Sequence, residues 1–197
     1  MRGLKYLIAG LALGLVYPVQ AADKAGQYSV RGAGLLSCET YLQERAADSP
    51  AHKMIGGWID GYLSATNAHR DDTYDITSFQ STELIGRILQ RHCAEHPHHR
   101  LFSVLKSMVA QLHEQRVVDA SPQQMIVVDD RRTQLYNDTI LRMQMVLAER
   151  GLIKYAQISG RFDEQTSAAL ARFQEERNFQ PTGFPDQATL WMLFADV

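Results

Sequence analysis

Two segments near the C-terminus repeat one pattern, and this repeat constrains the fold more than any other feature of the chain. The segments "DEQTSAAL" and "DQATLWML" each read Asp, two residues, Thr, three residues, Leu. Asp163 and Asp186 suit the first position of a helix, because an aspartate side chain accepts hydrogen bonds from the free amides of the first turn. Leu170 and Leu193 then begin the buried side of each helix. The pattern predicts two capped helices that share one small core.

A third helix precedes these two, and turn residues separate all three. Its apolar residues have helical spacing, and Gly151 suits its end because glycine adopts a left-handed conformation at little cost. Those apolar residues are Ile140, Leu141, Met143, Leu147 and Ala148. Asn178 suits the end of the second helix, and Pro181 before Gly183 indicates a turn. Residues 134–197 are therefore predicted to form a three-helix bundle.

The same residues resemble the peptidoglycan-binding domain found at the ends of many bacterial cell-wall hydrolases. The resemblance covers about 60 residues. It includes the glycine at the end of the first helix, the threonine in the first turn of each of the next two helices, and the Phe-Gln and Thr-Gly pairs. The matching residues are Gln144, Leu147, Gly151, Gly160, Phe162, Thr166, Ala169, Phe173, Gln174, Thr182, Gly183, Asp186 and Thr189. Ser159 replaces an aspartate of the family pattern, and Asp163 replaces a glycine, which still allows capping. The resemblance implies this fold and implies peptidoglycan as the ligand.

The resemblance also suggests which residues contact the cell wall. The candidates lie in the loop from Tyr155 to Phe162, which includes Arg161, and at the helix starts near Thr166 and Trp191. Helix starts offer free amides to the carboxylates of muropeptides, and exposed aromatic faces can pack on sugars. The alternative for Phe162 and Trp191 is a place in the hydrophobic core, where large apolar side chains usually lie.

The N-terminus has the pattern of a secretory signal peptide over residues 1–22. Arg2 and Lys5 precede an apolar run, and the small residues Ala21 and Ala22 follow it. A membrane anchor is the alternative, but the run is much shorter than the roughly 20 residues that span a bilayer. We therefore expect cleavage near Ala21 or Ala22, a periplasmic or secreted protein, and no membrane association after cleavage.

The charge balance excludes two classes of partner. The chain has 20 Lys and Arg residues against 22 Asp and Glu residues, so its net charge is −2. A mildly acidic chain has no basic patch for nucleic acid and no polybasic segment for anionic lipid. We expect peptidoglycan and a periplasmic protein as partners, and no nucleic acid.

The chain has two cysteines, Cys38 and Cys93, and both follow the signal peptide. In an oxidising compartment a lone pair of cysteines most often forms a disulfide. Closing so long a loop would stabilise the fold by about 4 kcal/mol in the chain-entropy model. The bond would also remove Cys93 from any metal site.

Residues 23–115 are predicted to form a helical domain that this disulfide links. Four segments with helical spacing lie near residues 35–42, 52–70, 84–92 and 101–112. On the second segment Gly57, Gly61 and Ala65 recur every four residues, which predicts a close-packed neighbour. Residues 116–133 break the helical period and contain a short apolar run that could be a strand. We interpret them as the linker to residues 134–197, so the fold class is all-α with two domains.

The stretch "RHCAEHPHHR", residues 91–100, raises the question of a metal site. His92 and His96 are four residues apart, so on one helix they could bind the same ion. A third ligand is missing from the pattern, because His98 and His99 follow Pro97 on what should be a different path. Histidines at a helix end also interact favourably with the helix dipole. The sequence therefore predicts no metal and no cofactor.

No motif for catalysis stands out elsewhere in the chain. Nucleophile elbows, phosphate-binding loops and dinucleotide-binding loops do not occur, and no particular pair of carboxylates suggests glycoside cleavage. We predict a non-enzymatic, exported cell-envelope protein that binds peptidoglycan and presents its N-terminal domain to a partner. That domain weakly resembles the Rap/Tai immunity proteins of type VI secretion and the HdeA-type periplasmic chaperones. The alternatives are an immunity- or chaperone-like protein, and a cell-wall hydrolase whose catalytic domain is not recognised.

Overall fold

The computed structural model describes residues 23–195. The predicted signal peptide, residues 1–22, lies outside this range. Residues 31–195 belong to one compact unit, and residues 23–30 belong to another. Within the described range, no helix has the length and apolar character that crossing a membrane requires.

Four helices form the N-terminal half of the larger unit. They are α1 (Cys38–Ala46), α2 (Pro50–His69), α3 (Thr82–Glu95) and α4 (Leu101–Leu112). The first three begin at serines, namely Ser37, Ser49 and Ser81, whose side chains each accept a hydrogen bond from the amide three residues later. These caps satisfy amides that have no partner inside the helix. The four predicted helices are confirmed.

The disulfide joins the start of α1 to the last turn of α3. Cys38 and Cys93 are bonded to each other, and both side chains are fully buried. They lie in a core with Tyr41, Ile55 and Leu105. The predicted disulfide is therefore confirmed.

The small residues on α2 do not pack against a neighbour, so this prediction is wrong. A side chain at Gly57 or Gly61 would meet open space. The helix instead buries Ile55, Ile59 and Leu63. A run of small residues and a stripe of apolar residues both recur at helical spacing, and burial favours the stripe with more apolar area.

A two-stranded antiparallel hairpin occupies the segment that was interpreted as a linker. Strand β1 (Gln123–Val128) pairs with β2 (Arg131–Tyr136), and Ile126 lies opposite Thr133. Ile126 and Leu135 are each 2% exposed and belong to the C-terminal core. An independently folding C-terminal fragment would therefore have to include this hairpin. The division into two domains stays a prediction.

Three helices form the C-terminal bundle that the sequence predicts. They are α5 (Asn137–Glu149), α6 (Glu164–Glu176) and α7 (Gln187–Ala195). Their shared core contains Met143, Leu147, Leu170, Phe173 and Leu193, all fully buried. Among the described residues, the regular structure is helical apart from one hairpin and isolated bridges, and the predicted class is confirmed.

The segment before α3 attaches the N-terminal helices to this bundle. The Phe79 ring lies 5.3 Å from the ring of Phe194, and its carbonyl accepts a 2.7 Å hydrogen bond from Gln187 Nε2. The Ser78 carbonyl accepts another, at 2.9 Å, from Thr139 Oγ1. These contacts hold α5 and α7 against the segment at residues 78–79.

Candidate functional site

A buried glutamine fixes the loop that the sequence proposes as a wall contact. Gln144 on α5 is fully buried. Its Oε1 accepts hydrogen bonds from the amides of Ser159 at 2.9 Å and Gly160 at 2.8 Å. Its Nε2 donates to the Arg161 carbonyl and to Thr166 Oγ1, both at 2.9 Å. The side chain uses all its bonding capacity, so the loop is joined to α5 and to the start of α6.

A second glutamine does the same one helix later. Gln174 on α6 is 1% exposed. Its Oε1 accepts a 2.8 Å hydrogen bond from the Gly183 amide. Its Nε2 donates to the Phe184 carbonyl and to Thr189 Oγ1, both at 3.0 Å. The repeat seen in the sequence is therefore a repeat of contacts, in which a buried glutamine binds a glycine loop and the threonine of the next helix.

The two aspartates cap their helices as predicted. Asp163 Oδ1 accepts hydrogen bonds from the Thr166 amide at 2.8 Å and from its hydroxyl at 2.7 Å. Asp186 Oδ1 accepts one from the Thr189 amide at 2.8 Å. Each threonine hydroxyl also accepts a hydrogen bond from a buried glutamine, Thr166 from Gln144 and Thr189 from Gln174. The Thr166 hydroxyl therefore connects the Asp163 cap to Gln144.

Ser159, which departs from the family pattern, still shapes its loop. Its Oγ accepts a 3.2 Å hydrogen bond from the Arg161 amide. Thr182 Oγ1 makes the same contact, also at 3.2 Å, with the Phe184 amide. Short polar side chains commonly bond the backbone two residues on in turns. A serine therefore replaces the family's aspartate without loss of this turn.

Replacing Gly183 with alanine is expected to destabilise the protein by about 3 kcal/mol, from a left-handed backbone and a steric clash. Gly183 has φ +66°, and an added Cβ would lie 2.5 Å from Ser167 Oγ and 2.7 Å from the Ser167 carbonyl oxygen. Urea denaturation measures the change. The control is Gly57→Ala in α2, where the space is open. This control is expected to stabilise by up to about 1 kcal/mol. Equal effects of the two substitutions would contradict the prediction.

The structure separates the five proposed ligand-binding residues by exposure. Tyr155 is 67% exposed, and Arg161, in the same loop, is also exposed. Phe162 is half-buried and packs against the C-terminal core. Thr166 is 2% exposed, and its hydroxyl is bonded inside the protein. The accessible candidates of this loop are therefore Tyr155, Arg161 and one face of Phe162.

An open cleft of about 540 Å³ lies beside Phe162. Its walls are the first turns of α6, the turn at Thr182 and Gly183, and the end of β1 at Val127 and Val128. Asp163 and Glu164 add carboxylates to the lining. This is a concave surface of a size typical of ligand sites.

The hairpin contributes to this cleft in a way that was not predicted from the sequence. Gln124 Oε1 accepts a hydrogen bond from the Phe162 amide, and its Nε2 donates to the Phe162 carbonyl, both at 3.0 Å. The hairpin thus fixes the backbone at Phe162, while Val127, 65% exposed, borders the cleft. The signal in the sequence was the short apolar run from Met125 to Val128, which is consistent with a strand.

Trp191 lies in a different place from the loop candidates. It is 40% exposed and lines a cavity of about 150 Å³ with Phe79, Ile88 and Met108. Among the described residues, this cavity and the cleft beside Phe162 have no lining residue in common. The structure therefore does not place Trp191 at the cleft beside Phe162.

Three histidines converge at the end of α3, contrary to the path expected from the sequence. The His99 amide donates to the His96 carbonyl at 3.1 Å, so the chain turns back after Pro97. The ring centroids are 4.7 Å apart for His92 and His96, 5.3 Å for His92 and His99, and 4.7 Å for His96 and His99. As the side chains lie in the structure, no group of three or more His, Cys, Asp or Glu residues within residues 23–195 is arranged to hold a metal ion.

The closeness of these rings affects the titration of His92. Partial burial lowers the pKa of His92, and the neighbouring His96 and His99 lower it further. A lowered pKa keeps the imidazole neutral at a pH where an isolated histidine begins to bind a proton.

A second perturbed group lies where the hairpin contacts the N-terminal half. Burial raises the pKa of Tyr136 to about 12, and its hydrogen bond to Asp75 adds to the shift. The Tyr136 hydroxyl donates to Asp75 Oδ2 at 2.8 Å. The phenol thus stays protonated as a donor and joins β2 to the segment before α3.

Comparison with known proteins identifies the C-terminal part of the chain. Residues 137–193 match the family model described as "Putative peptidoglycan binding domain". No curated protein and no solved structure matches the chain at a significant level. The matched range contains α5, α6, most of α7, both buried glutamines and both glycine loops. Residues 137–193 therefore form a domain of the peptidoglycan-binding type.

Proposed function

We propose that this protein is exported to the periplasm or secreted, binds peptidoglycan through its C-terminal domain and presents its N-terminal helices to a protein partner. The observation that carries the proposal is the match over residues 137–193. Export rests on the signal-peptide pattern of residues 1–22. The disulfide between Cys38 and Cys93 supports it, because such bonds persist in oxidising compartments.

The surface that fits peptidoglycan best is the cleft beside Phe162 together with the exposed part of the same loop. Peptidoglycan offers sugar rings and peptide carboxylates. The Tyr155 ring is exposed and can pack on a sugar, and the Arg161 guanidinium can bind a carboxylate through two hydrogen bonds. Because Gln144 and Gln124 already fix the loop backbone, binding would cost little ordering of the loop.

The N-terminal half has a groove that supports a role in binding a protein. The groove lies between α3 and α4 and has a volume of about 300 Å³. Ile88, Leu89, Val104 and Met108 contribute apolar atoms to it. Apolar grooves of this kind suit the hydrophobic side chains of a partner. We therefore propose that the N-terminal half presents a binding surface to a protein partner and does not catalyse a reaction on the cell wall.

The test is a pull-down of the full-length protein on purified sacculi. We expect the wild type to pellet, and the double variant Tyr155→Ala, Arg161→Ala to bind at least about tenfold more weakly, the loss that 1.4 kcal/mol produces. The control is Glu176→Ala, which removes an exposed charged side chain on α6, outside the loop from Tyr155 to Phe162 and outside the cleft lining.

Two results would refute the proposal. Folded wild-type protein that stays in the supernatant would show that peptidoglycan binding is absent. Soluble muropeptides released from the pelleted sacculi would show that the protein is a hydrolase. Circular dichroism of each variant separates loss of binding from loss of fold.

A further inference from the structure

We propose that the end of α3 and the turn after it form a binding site for a late first-row transition-metal ion, such as Cu²⁺ or Zn²⁺. The ligands are His92, His96 and His99. Neutral imidazoles are ligands that both ions bind well. This site is separate from the C-terminal domain, and the proposal does not depend on peptidoglycan binding.

The distance between two ring nitrogens carries the proposal. His92 Nε2 and His99 Nδ1 lie 3.1 Å apart and share one hydrogen bond. Two nitrogens that bind one ion at about 2.0–2.1 Å are separated by about 3 Å when the angle at the ion is near 90–100°. A metal ion can thus take the place of the shared hydrogen bond once both rings rotate to direct these nitrogens at the ion. The proton leaves the donor nitrogen and is carried, through solvent, by the other nitrogen of the same ring.

The third ring is close enough to complete the site. The His96 ring is stacked on that of His99 with an interplanar angle of 9°, and their centroids are 4.7 Å apart. It lies equally close to His92, one helical turn earlier. Because His96 is exposed, its side chain can rotate from the stacked position and direct a nitrogen at the ion.

The backbone that holds the three histidines is already fixed by groups distant in sequence. The Cys38 amide donates to the His99 carbonyl, and the Glu39 amide donates to the Pro97 carbonyl, both at 2.8 Å. Cys93, next to His92, is bonded to Cys38. Metal binding would therefore order side chains and leave the chain path unchanged, which lowers its entropic cost.

The experiment titrates the untagged full-length protein with Cu²⁺ and with Zn²⁺ in competition with a chromophoric chelator. We expect one equivalent of either ion to bind, with Cu²⁺ bound more tightly, as the Irving–Williams order requires. His92→Ala and His99→Ala should each weaken binding at least about tenfold, because even the loss of a group that only orients a metal ligand costs about 10–100-fold in affinity. His96→Ala should also weaken metal binding.

The matched control is His98→Ala. His98 is an exposed histidine in the same turn. Its substitution should change the affinity less than about twofold, because His98 is not one of the proposed ligands. A second readout is the electron paramagnetic resonance spectrum of bound Cu²⁺, which should show nitrogen couplings that weaken in His99→Ala.

Several outcomes would overturn the proposal. These are stoichiometric binding that survives removal of all three histidines, an effect of His98→Ala equal to that of His99→Ala, or no binding at one equivalent. His99 is exposed, so its substitution decides the question even if the His92 variant does not fold. Circular dichroism and thiol titration, which report the fold and the disulfide, are measured for every variant.

Discussion

Replacing Gln174 with alanine is expected to lower the free energy of unfolding by about 4 kcal/mol or more, since each buried polar group that loses its partner costs about 1–3 kcal/mol. The substitution removes the Gln174 partner of the Gly183 amide and of the Thr189 hydroxyl. It also removes one of two hydrogen bonds to the Phe184 carbonyl, which keeps the one from the Asp186 amide. A loss of this size is a large fraction of the stability of a small domain. Urea denaturation followed by circular dichroism measures it.

The control for this prediction is Gln180→Ala, which removes the same side chain at an exposed position in the following loop. It should change the stability by less than about 0.5 kcal/mol, as most surface substitutions do. Gln144→Ala should behave like Gln174→Ala, because both glutamines are buried and bind a glycine loop. If Gln174→Ala matched Gln180→Ala, the contacts of Gln174 would not contribute to stability.

Removing the disulfide is expected to cost about 4 kcal/mol, the chain-entropy value for a loop of this length. The bond joins residues separated by 55 positions, Cys38 and Cys93. The variant is Cys38→Ala, Cys93→Ala, and the measurement is its urea midpoint against that of the oxidised wild type. Both side chains are fully buried, so alanine also loses packing, which acts in the same direction.

Two further measurements test the same bond. Thiol titration of the urea-unfolded, unreduced protein should find no free thiol, and two reactive thiols would contradict the disulfide in the purified protein. Reductant should lower the urea midpoint of the wild type and leave that of the double variant unchanged. An equal effect on both proteins would show that reductant acts elsewhere.

The features that sequence analysis predicted well are those with short-range causes. Asp163 and Asp186 cap the helix that begins beside them, and this interaction spans three residues. The apolar spacing of the helices is also local. The pairing of Cys38 with Cys93 spans 55 positions, but only one pairing of two cysteines exists. These signals were sufficient for the helical class and for the C-terminal bundle.

The features that it missed depend on contacts between distant parts of the chain. The hairpin is short, and the burial of Ile126 depends on the C-terminal core, which follows it in the sequence. His99 returns to His92 because its carbonyl accepts from the Cys38 amide, 61 residues earlier in the chain. Pro97 alone indicates that the helix ends, and it does not indicate where the chain goes next.

The candidate site was predicted in part for the same reason. The loop from Tyr155 to Phe162 could be named from its resemblance to a family, and the structure shows that Tyr155 is exposed. Burial of Thr166 could not be derived, since its hydroxyl is held by Gln144 from another helix. The separate position of Trp191 follows from the packing of α7 against Phe79, far away in the sequence.

Gln144 and Gln174 bind mainly to main-chain atoms of the two loops. The residues that stabilise the loops are therefore different from the loop side chains that face outward. The bonded groups are the amides of Ser159, Gly160 and Gly183 and the carbonyls of Arg161 and Phe184. The outward side chains of such a loop can vary without disturbing the contacts that keep it folded. Selection can therefore change what this domain recognises by substituting residues such as Arg161, while the amino acids that maintain its stability stay the same.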